Sequence, residues 1–293
     1  MKRIQAYLPN VLLTFLLVFA LLAAELVLFV SAVVFNPAVF RTVAEQEALA
    51  DKAYATLEAD FTSRSNSTGI PAEVFLDAID HDALHEGIIG STEQAFTYLN
   101  GKSETYDFMM DFTDLEASVR AFFVDYANEN GFARDTAFEE KVAAVIEESE
   151  AEVLFVTDTF KFGTMYRNGW LTKAQKYVRY LQPAIIGCLA LTAILVILLI
   201  LCNSRQKLHL AYWFGLAALT SGLLLLVPCI YLTATDYFSA FALKDPQIFA
   251  AVVGYLRLLT KHALVMAATT FVSGAAVLGG FGAASWKLAK RTS

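Results

Sequence analysis

Residues 11–35 read VLLTFLLVFALLAAELVLFVSAVVF. This run decides the fold, because about 20 apolar residues are what a helix needs to cross a bilayer. Glu25 is the only charge in it. Lipid offers no partner to a backbone N–H or C=O, so the run must close its own hydrogen bonds as a helix. Outward along the chain, Pro183–Cys202, Leu210–Tyr231 and Ala263–Trp286 have the same character and carry no charge. The chain of 293 residues is 57% hydrophobic, and these runs hold the excess over a soluble domain. Met1-Lys2-Arg3 is a basic start of the kind a secretory signal has. The apolar run is too long for a signal, however, and cleavage after Ala24 would put Leu22 where a small residue belongs. We read it as a span.

Charge sets the expected orientation. Lys2 and Arg3 precede the first span, Arg205 and Lys207 separate the second and third, and Lys287, Lys290 and Arg291 follow the fourth. Seven basic residues and no acidic one on that side place residues 1–10, 203–209 and 287–293 in the cytoplasm by the positive-inside rule. Residues 36–182 and 232–262 are then outside the plasma membrane. Lys173, Lys176 and Arg179 run against the bias, but they end a long loop, and long loops translocate largely regardless of charge.

Residues 36–182 carry 12 Lys and Arg against 26 Asp and Glu, a net charge of −14, while the rest of the chain is +7. So acidic a domain argues against nucleic acid or an anionic lipid surface as its partner. It suits a cationic partner, metal ions or solubility alone. Cys188, Cys202 and Cys229 all lie in or at the ends of spans, so no disulfide framework is expected outside. That fits a bacterial surface better than a eukaryotic one.

The outer domain reads as helical throughout. Val39, Val43, Ala50, Tyr54, Leu57 and Phe61 recur on one helical face from Pro37 onward, with a kink expected at Asn36-Pro37. Ser63–Gly69 reads as a polar break and Ile70-Pro71 as a restart, with Val74, Phe75, Ala78 and Ile79 apolar. Leu84, Ile88, Ala95 and Leu99 form the inner face of the next helix, which stops at Asn100-Gly101. Thr113-Asp114-Leu115-Glu116 has the form of a capping box opening a helix that ends at Asn130-Gly131. Another starts near Thr136, with Phe138, Val142, Val145, Val153, Val156 and Phe160 on one face, interrupted by Ser149. Phe162, Tyr166 and Trp170 read as an aromatic cluster at the membrane interface, and Pro183 as a bend. Beyond the third span, Ile248, Phe249, Val252, Val253, Leu256 and Leu259, with Arg257 and Lys261 opposite, form an amphipathic outer segment. It is expected to lie on the bilayer or, the favoured reading, to pack on the outer domain.

The expected fold is therefore all-α. A four-helix transmembrane bundle (11–35, 183–202, 210–231, 263–286) carries an α-helical extracytoplasmic domain, 36–182, inserted between the first and second spans. Gly69-Ile70-Pro71-Ala72-Glu73-Val74-Phe75, the acidic helices after it, and Tyr98-Leu99-Asn100-Gly101-Lys102 resemble uncharacterised Gram-positive membrane proteins. Those have one span, a helical ectodomain and three further spans; the resemblance covers about the first two-thirds of the chain. It implies this topology and no activity.

Three constellations are candidate sites. Asp77, His81 and His85 stand at i, i+4, i+8, a spacing that can hold a divalent metal. They lack the His-Glu-x-x-His order of zinc proteases, and caps or solvated groups explain them more simply. No metal or cofactor is expected. Glu25 lies mid-membrane, where an ionised carboxylate costs on the order of 2.5–3.5 kcal/mol on insertion scales. Either it is a proton, cation or inter-subunit site, or it is protonated and hydrogen-bonded to Thr192, Ser221 or Ser273. The spans hold no second acid or base, so a relay has no next member and the packing role is favoured. Ala275, Gly279 and Ala283, beside Ala276, Gly280 and Ala284, form rows of small residues that let another helix approach closely. Packing inside the bundle is favoured over a dimer face.

Phosphate-binding loops, Gly-x-Ser-x-Gly and Cys-x-x-Cys are absent from the sequence. The expected cytoplasmic pieces are too short to fold, so no intracellular output domain is expected. These features suggest a non-enzymatic membrane protein whose helical ectodomain binds or senses an extracytoplasmic partner. Within the lipid bilayer its spans would associate with a membrane-protein partner or with a second copy. A first alternative is a transport subunit, because one span, a large ectodomain and three spans is the layout of MacB/FtsX-type permeases. Those have a longer cytoplasmic segment between spans two and three than Asn203–His209. A second alternative, a metal-dependent surface enzyme, rests on His81 and His85.

Overall fold

The computed structural model describes residues 2–204 and 207–292. The side chains of Lys2, Arg3, Arg205, Lys207 and Arg291, which carry most of the orientation argument, lie outside what is described. Among the described residues the chain is all-α, without strands. Eleven α-helices follow in order. They are α1 (Lys2–Phe29), α2 (Pro37–Gln46), α3 (Leu49–Thr68), α4 (Glu73–Leu76), α5 (His81–Leu99) and α6 (Thr113–Asn130). Then come α7 (Thr136–Thr157), α8 (Phe162–Arg167), α9 (Trp170–Cys202), α10 (Lys207–Ala234) and α11 (Pro246–Thr292). A π-helical turn, Val30–Val34, extends α1.

Four helices are long and apolar enough to cross a membrane: Tyr7–Val34, Trp170–Cys202, Leu208–Ala234 and Pro246–Lys290. By length and composition the chain is a multi-pass membrane protein. α9 runs through Pro183 as one helix of 33 residues. One expectation needs correction: the segment from Pro246 is no separate outer helix, because α11 continues unbroken for 47 residues. Neither Gly nor Pro stands between Leu256 and Met266 to stop it.

The chain divides into two compact units. One comprises Met1–Asn36, Tyr177–Ala240 and Leu256–Ser293; the other comprises Pro37–Lys176 and Phe241–Tyr255. In the first, Leu17 and Val18 of α1, Leu195 and Leu199 of α9, and Trp213 and Ala217 of α10 form a buried core. Asn10 and Asn203 exchange side-chain amide hydrogen bonds of 3.2 and 2.9 Å inside it. A buried amide must find such a partner, and the reciprocal pair satisfies both.

The second unit is built on α3, whose Leu49, Ala53, Leu57 and Phe61 form an i, i+4 row at 0–1% exposure. Against it pack Leu84 and Ile88 of α5, Leu115 and Val119 of α6, Val142, Val153 and Val156 of α7, and Ala250 and Ala251 of α11. The first ten residues of α11 thus take the packed alternative of the two the amphipathic pattern allowed.

Several local readings fail for identifiable reasons. The helix expected from Pro37 to Phe61 is two helices, because Ala48 adopts a left-handed φ of 48°. The break centres the inward face of α3 on Leu49 and Ala53, with the expected Ala50 and Tyr54 partly buried at its edge. Ser63–Gly69 is no break: α3 continues to Thr68, where Ser67 and Thr68 return their hydroxyls to the Arg64 carbonyl. The restart after Pro71 gives only the four residues of α4. The capping box at Thr113 does not form; Thr113 is already helical, and its N–H and hydroxyl both donate to Asp111 Oδ1. Asp80 and Asp135 are the side-chain caps instead, accepting from Ala83 and Phe138 N–H. Gly101 and Gly131 end their helices at φ 69°, as the Asn-Gly pairs suggested.

A candidate ligand cleft

Residues 100–112 join α5 to α6, and from Tyr106 onward they form a strap without helix. Its side chains alternate: Tyr106, Phe108, Met110 and Phe112 are half-buried, while Asp107, Met109 and Asp111 are exposed. A period of two is that of extended backbone. The inward set lies along α5. The Tyr106 hydroxyl is 2.9 Å from Ser91 Oγ. A Cβ on Gly90 would stand 3.0 Å from the Phe108 ring, and one on Gly87 2.9 Å from Met110 Sδ. Two glycines on one helix face therefore make the seat for the strap.

Opposite it, α7 ends at Asp158, and Lys161 with φ 58° turns the chain into α8. The Asp158 carboxylate accepts from the N–H groups of Gly163 and Thr164 at 3.3 and 3.4 Å. Gly163 must be small here too, since its Cβ would lie 3.1 Å from Asp158 Oδ2. Between strap and corner lies a cavity of about 470 Å3, walled by Tyr106, Phe108, Phe155 and Tyr166, with Asp107, Asp158 and Arg167 on its lining. Tyr166 also packs edge-on against Tyr98, with centroids 5.2 Å apart.

Burial dominates the electrostatics. It pushes the Tyr106 hydroxyl up to about 12, against the hydrogen bond from Ser91, with the Asp158 charge adding to the rise. Burial also raises the Asp158 carboxyl above its ordinary range, opposed by the N–H groups it accepts from and by Lys161. Lys161 is pushed down by its own burial. Its ammonium sits 3.8 Å from the centroid of the Phe155 ring, a cation–π contact on the wall residue, and donates to the Phe155 carbonyl. Asp158 and Arg167 share the lining yet, among the described residues, form no ion pair. Arg167 makes one long contact, 3.4 Å to the Thr164 hydroxyl.

The sequence candidates fall elsewhere. Asp77 lies just beyond α4 and outside the helix of His81 and His85, so the three do not share a helical face. His81 is stacked on Tyr54 at 4.3 Å and has Nδ1 2.8 Å from Asp51 Oδ1. Among the described residues no group of three His, Cys, Asp or Glu side chains is placed to hold a metal. The expected aromatic cluster is also rearranged. Phe162 joins Phe40, Phe96 and Phe160, Tyr166 joins Tyr98 and Tyr106, and Trp170 is 63% exposed.

Glu25 accepts from Thr270 at 2.5 Å and from Ser221 at 3.4 Å, hydroxyls of α11 and α10. Of the partners expected from sequence, Ser221 is one; Thr192 instead donates to the Cys188 carbonyl. In α11 the helix contact is made by Gly274, whose Cβ would stand 2.3 Å from the Leu219 nitrogen of α10, and not by the row through Gly279. A Cβ on Gly279 would meet nothing within 4 Å, and Ala283 is exposed. The favoured packing role for that row is thus carried by its neighbour. Arg257, read from sequence as part of a polar face, makes paired bonds to Asp236 at 2.9 and 3.0 Å. No known protein family, curated protein or solved structure matches this chain.

Proposed function

We propose that the protein is a non-enzymatic plasma-membrane component whose acidic helical unit stands outside the cytoplasm and binds an extracytoplasmic partner in the strap cleft. What supports this reading is the cleft itself: four aromatic walls with charges of both signs on the lining, in a unit with its own buried core. A well-formed, mostly apolar cavity with a few converging polar groups is the usual form of a ligand site. The cytoplasmic placement of both termini rests on the basic residues flanking the spans. The test is a photoreactive benzoylphenylalanine at position 155, introduced in the full chain in living cells. A crosslinked adduct formed there, and absent from the same probe at the outward-facing position 129, supports the reading. Equal labelling at both positions, or none at either, contradicts it.

A further inference from the structure

The cleft's own chemistry specifies what it would hold. Its volume, about 470 Å3, lies within the roughly 300–1,000 Å3 of small-molecule sites and is far too small for a folded partner. Asp158 and Arg167 both line it and do not pair with each other. The half-buried Asp158 carboxylate is served by the N–H groups of the corner and lies in the field of Lys161, with acceptor capacity to spare. The exposed Arg167 guanidinium has five donors and gives one, weakly, to the protein, which leaves the rest to solvent or a ligand.

Each single-charge ligand fails on one of these groups. A simple cation would meet Arg167, and a simple anion would meet Asp107 and Asp158. An uncharged ligand would strip water from both signs and satisfy neither, which costs free energy. A ligand carrying both charges bridges them. The aromatic walls offer further ring faces to its cationic end beside the Phe155 face that Lys161 occupies. We infer that the cleft binds a small zwitterion, a free amino acid or short peptide with free ends, its ammonium on Asp158 and its carboxylate on Arg167. This rests on the reading of the cleft as the binding site. The competing structural account makes Asp158 only the cap of the α7–α8 corner and Arg167 only a surface charge.

The experiment uses the full chain in nanodiscs and calorimetric titration with the common free amino acids and alanyl-alanine. The best of these is compared with its N-acetyl and its carboxamide derivative. We expect each blocked derivative to bind at least about tenfold more weakly, as loss of a charge-assisted bond requires. Asp158→Asn removes the charge and keeps one of the two oxygens that serve the Gly163 and Thr164 N–H groups. It should weaken the free ligand while leaving the N-acetyl derivative unchanged. Arg167→Gln should do the same for the carboxamide. Derivatives that bind as tightly as the free ligand, or variants that bind it normally, overturn the inference. If no panel member binds while the position-155 adduct still forms, the ligand class is wrong and the cleft remains a binding site. If that adduct is missing as well, both readings fall.

Discussion

The Glu25 carboxyl of α1 accepts a 2.5 Å hydrogen bond from the Thr270 hydroxyl of α11, with Ser221 of α10 on its other oxygen at 3.4 Å. Three apolar helices thus meet at one polar node, and a carboxyl in such surroundings is costly unless partnered. Thr270→Val removes the shorter bond. It should destabilise the protein by about 1–2 kcal/mol, measured as thermal unfolding in detergent. Ser221→Ala, losing the longer contact, should cost less. Glu25→Gln should leave abundance intact. If that variant folded normally yet abolished an ion-dependent phenotype, packing would not be the role of Glu25.

Gly274 and Gly279 are expected to behave oppositely. An added Cβ at Gly274 would lie 2.3 Å from the Leu219 nitrogen, and one at Gly222 2.4 Å from the Phe271 nitrogen. Both helices must move apart, so even Gly274→Ala should lower folded yield sharply. Gly279→Leu points into open space and should accumulate at wild-type levels. Immunoblotting of membranes with detergent-extraction yield distinguishes them; equal loss for both variants would contradict the assignment.

Ala48 holds a left-handed φ of 48° between α2 and α3. A Cβ in that region costs about 1–2 kcal/mol, partly offset on replacement by the extra freedom glycine gives the unfolded chain. Ala48→Gly should therefore stabilise the protein by about 0.5–1 kcal/mol in thermal or denaturant unfolding. A destabilised variant would mean that the methyl group contributes packing that outweighs the strain.

Asp158 should make stability pH-dependent with a definite sign. Its carboxyl is raised by burial, so the folded protein binds the proton more tightly than the unfolded chain. Stability then falls as pH rises from the unfolded to the folded value, and the cost of the buried charge is complete above the latter. Asp158→Asn carries no charge to bury and keeps one of the corner's two acceptor oxygens; the bond it gives up is a long one, 3.3 or 3.4 Å. It should unfold at a higher temperature than wild type at neutral pH, with the gap closing below about pH 4. A gap that widens on acidification would show the charge to be stabilising, through Lys161 for instance.

The spans were legible because lipid leaves a long apolar run only one way to satisfy its backbone, and a proline inside such a run does not change that. Pro183 and Pro228 accordingly sit within continuous helices. In the helical unit, apolar periodicity found Leu84, Ile88, Ala95 and Leu99, all buried, because each lies on a long uninterrupted helix. In α3 it found Leu57 and Phe61 but named the partly buried Ala50 and Tyr54 and not the fully buried Leu49 and Ala53, because nothing in Glu47-Ala48 announces a left-handed residue. The cleft was the least legible part. Tyr106, Phe108, Met110 and Phe112 alternate as a strand would, but the strap has no sheet partner, and only the helix glycines Gly87 and Gly90 reveal where it lies. Asp158 and Arg167 belong to no motif; the turn at Lys161 brings them to one lining. The period-two pattern between two helices was the one signal that could have drawn attention there.

Cysteine accessibility tests most directly whether the cleft opens to the outside of the cell. With Cys188, Cys202 and Cys229 replaced by alanine, a single cysteine is placed at Ala151, on the cleft lining and exposed, or at Lys290, at the C-terminal end of the last span. Intact cells are treated with a membrane-impermeant maleimide, then permeabilised and treated again. The account predicts that Ala151→Cys is labelled in intact cells and Lys290→Cys only after permeabilisation. Labelling of position 290 in intact cells, with position 151 protected until the membrane is opened, would contradict it.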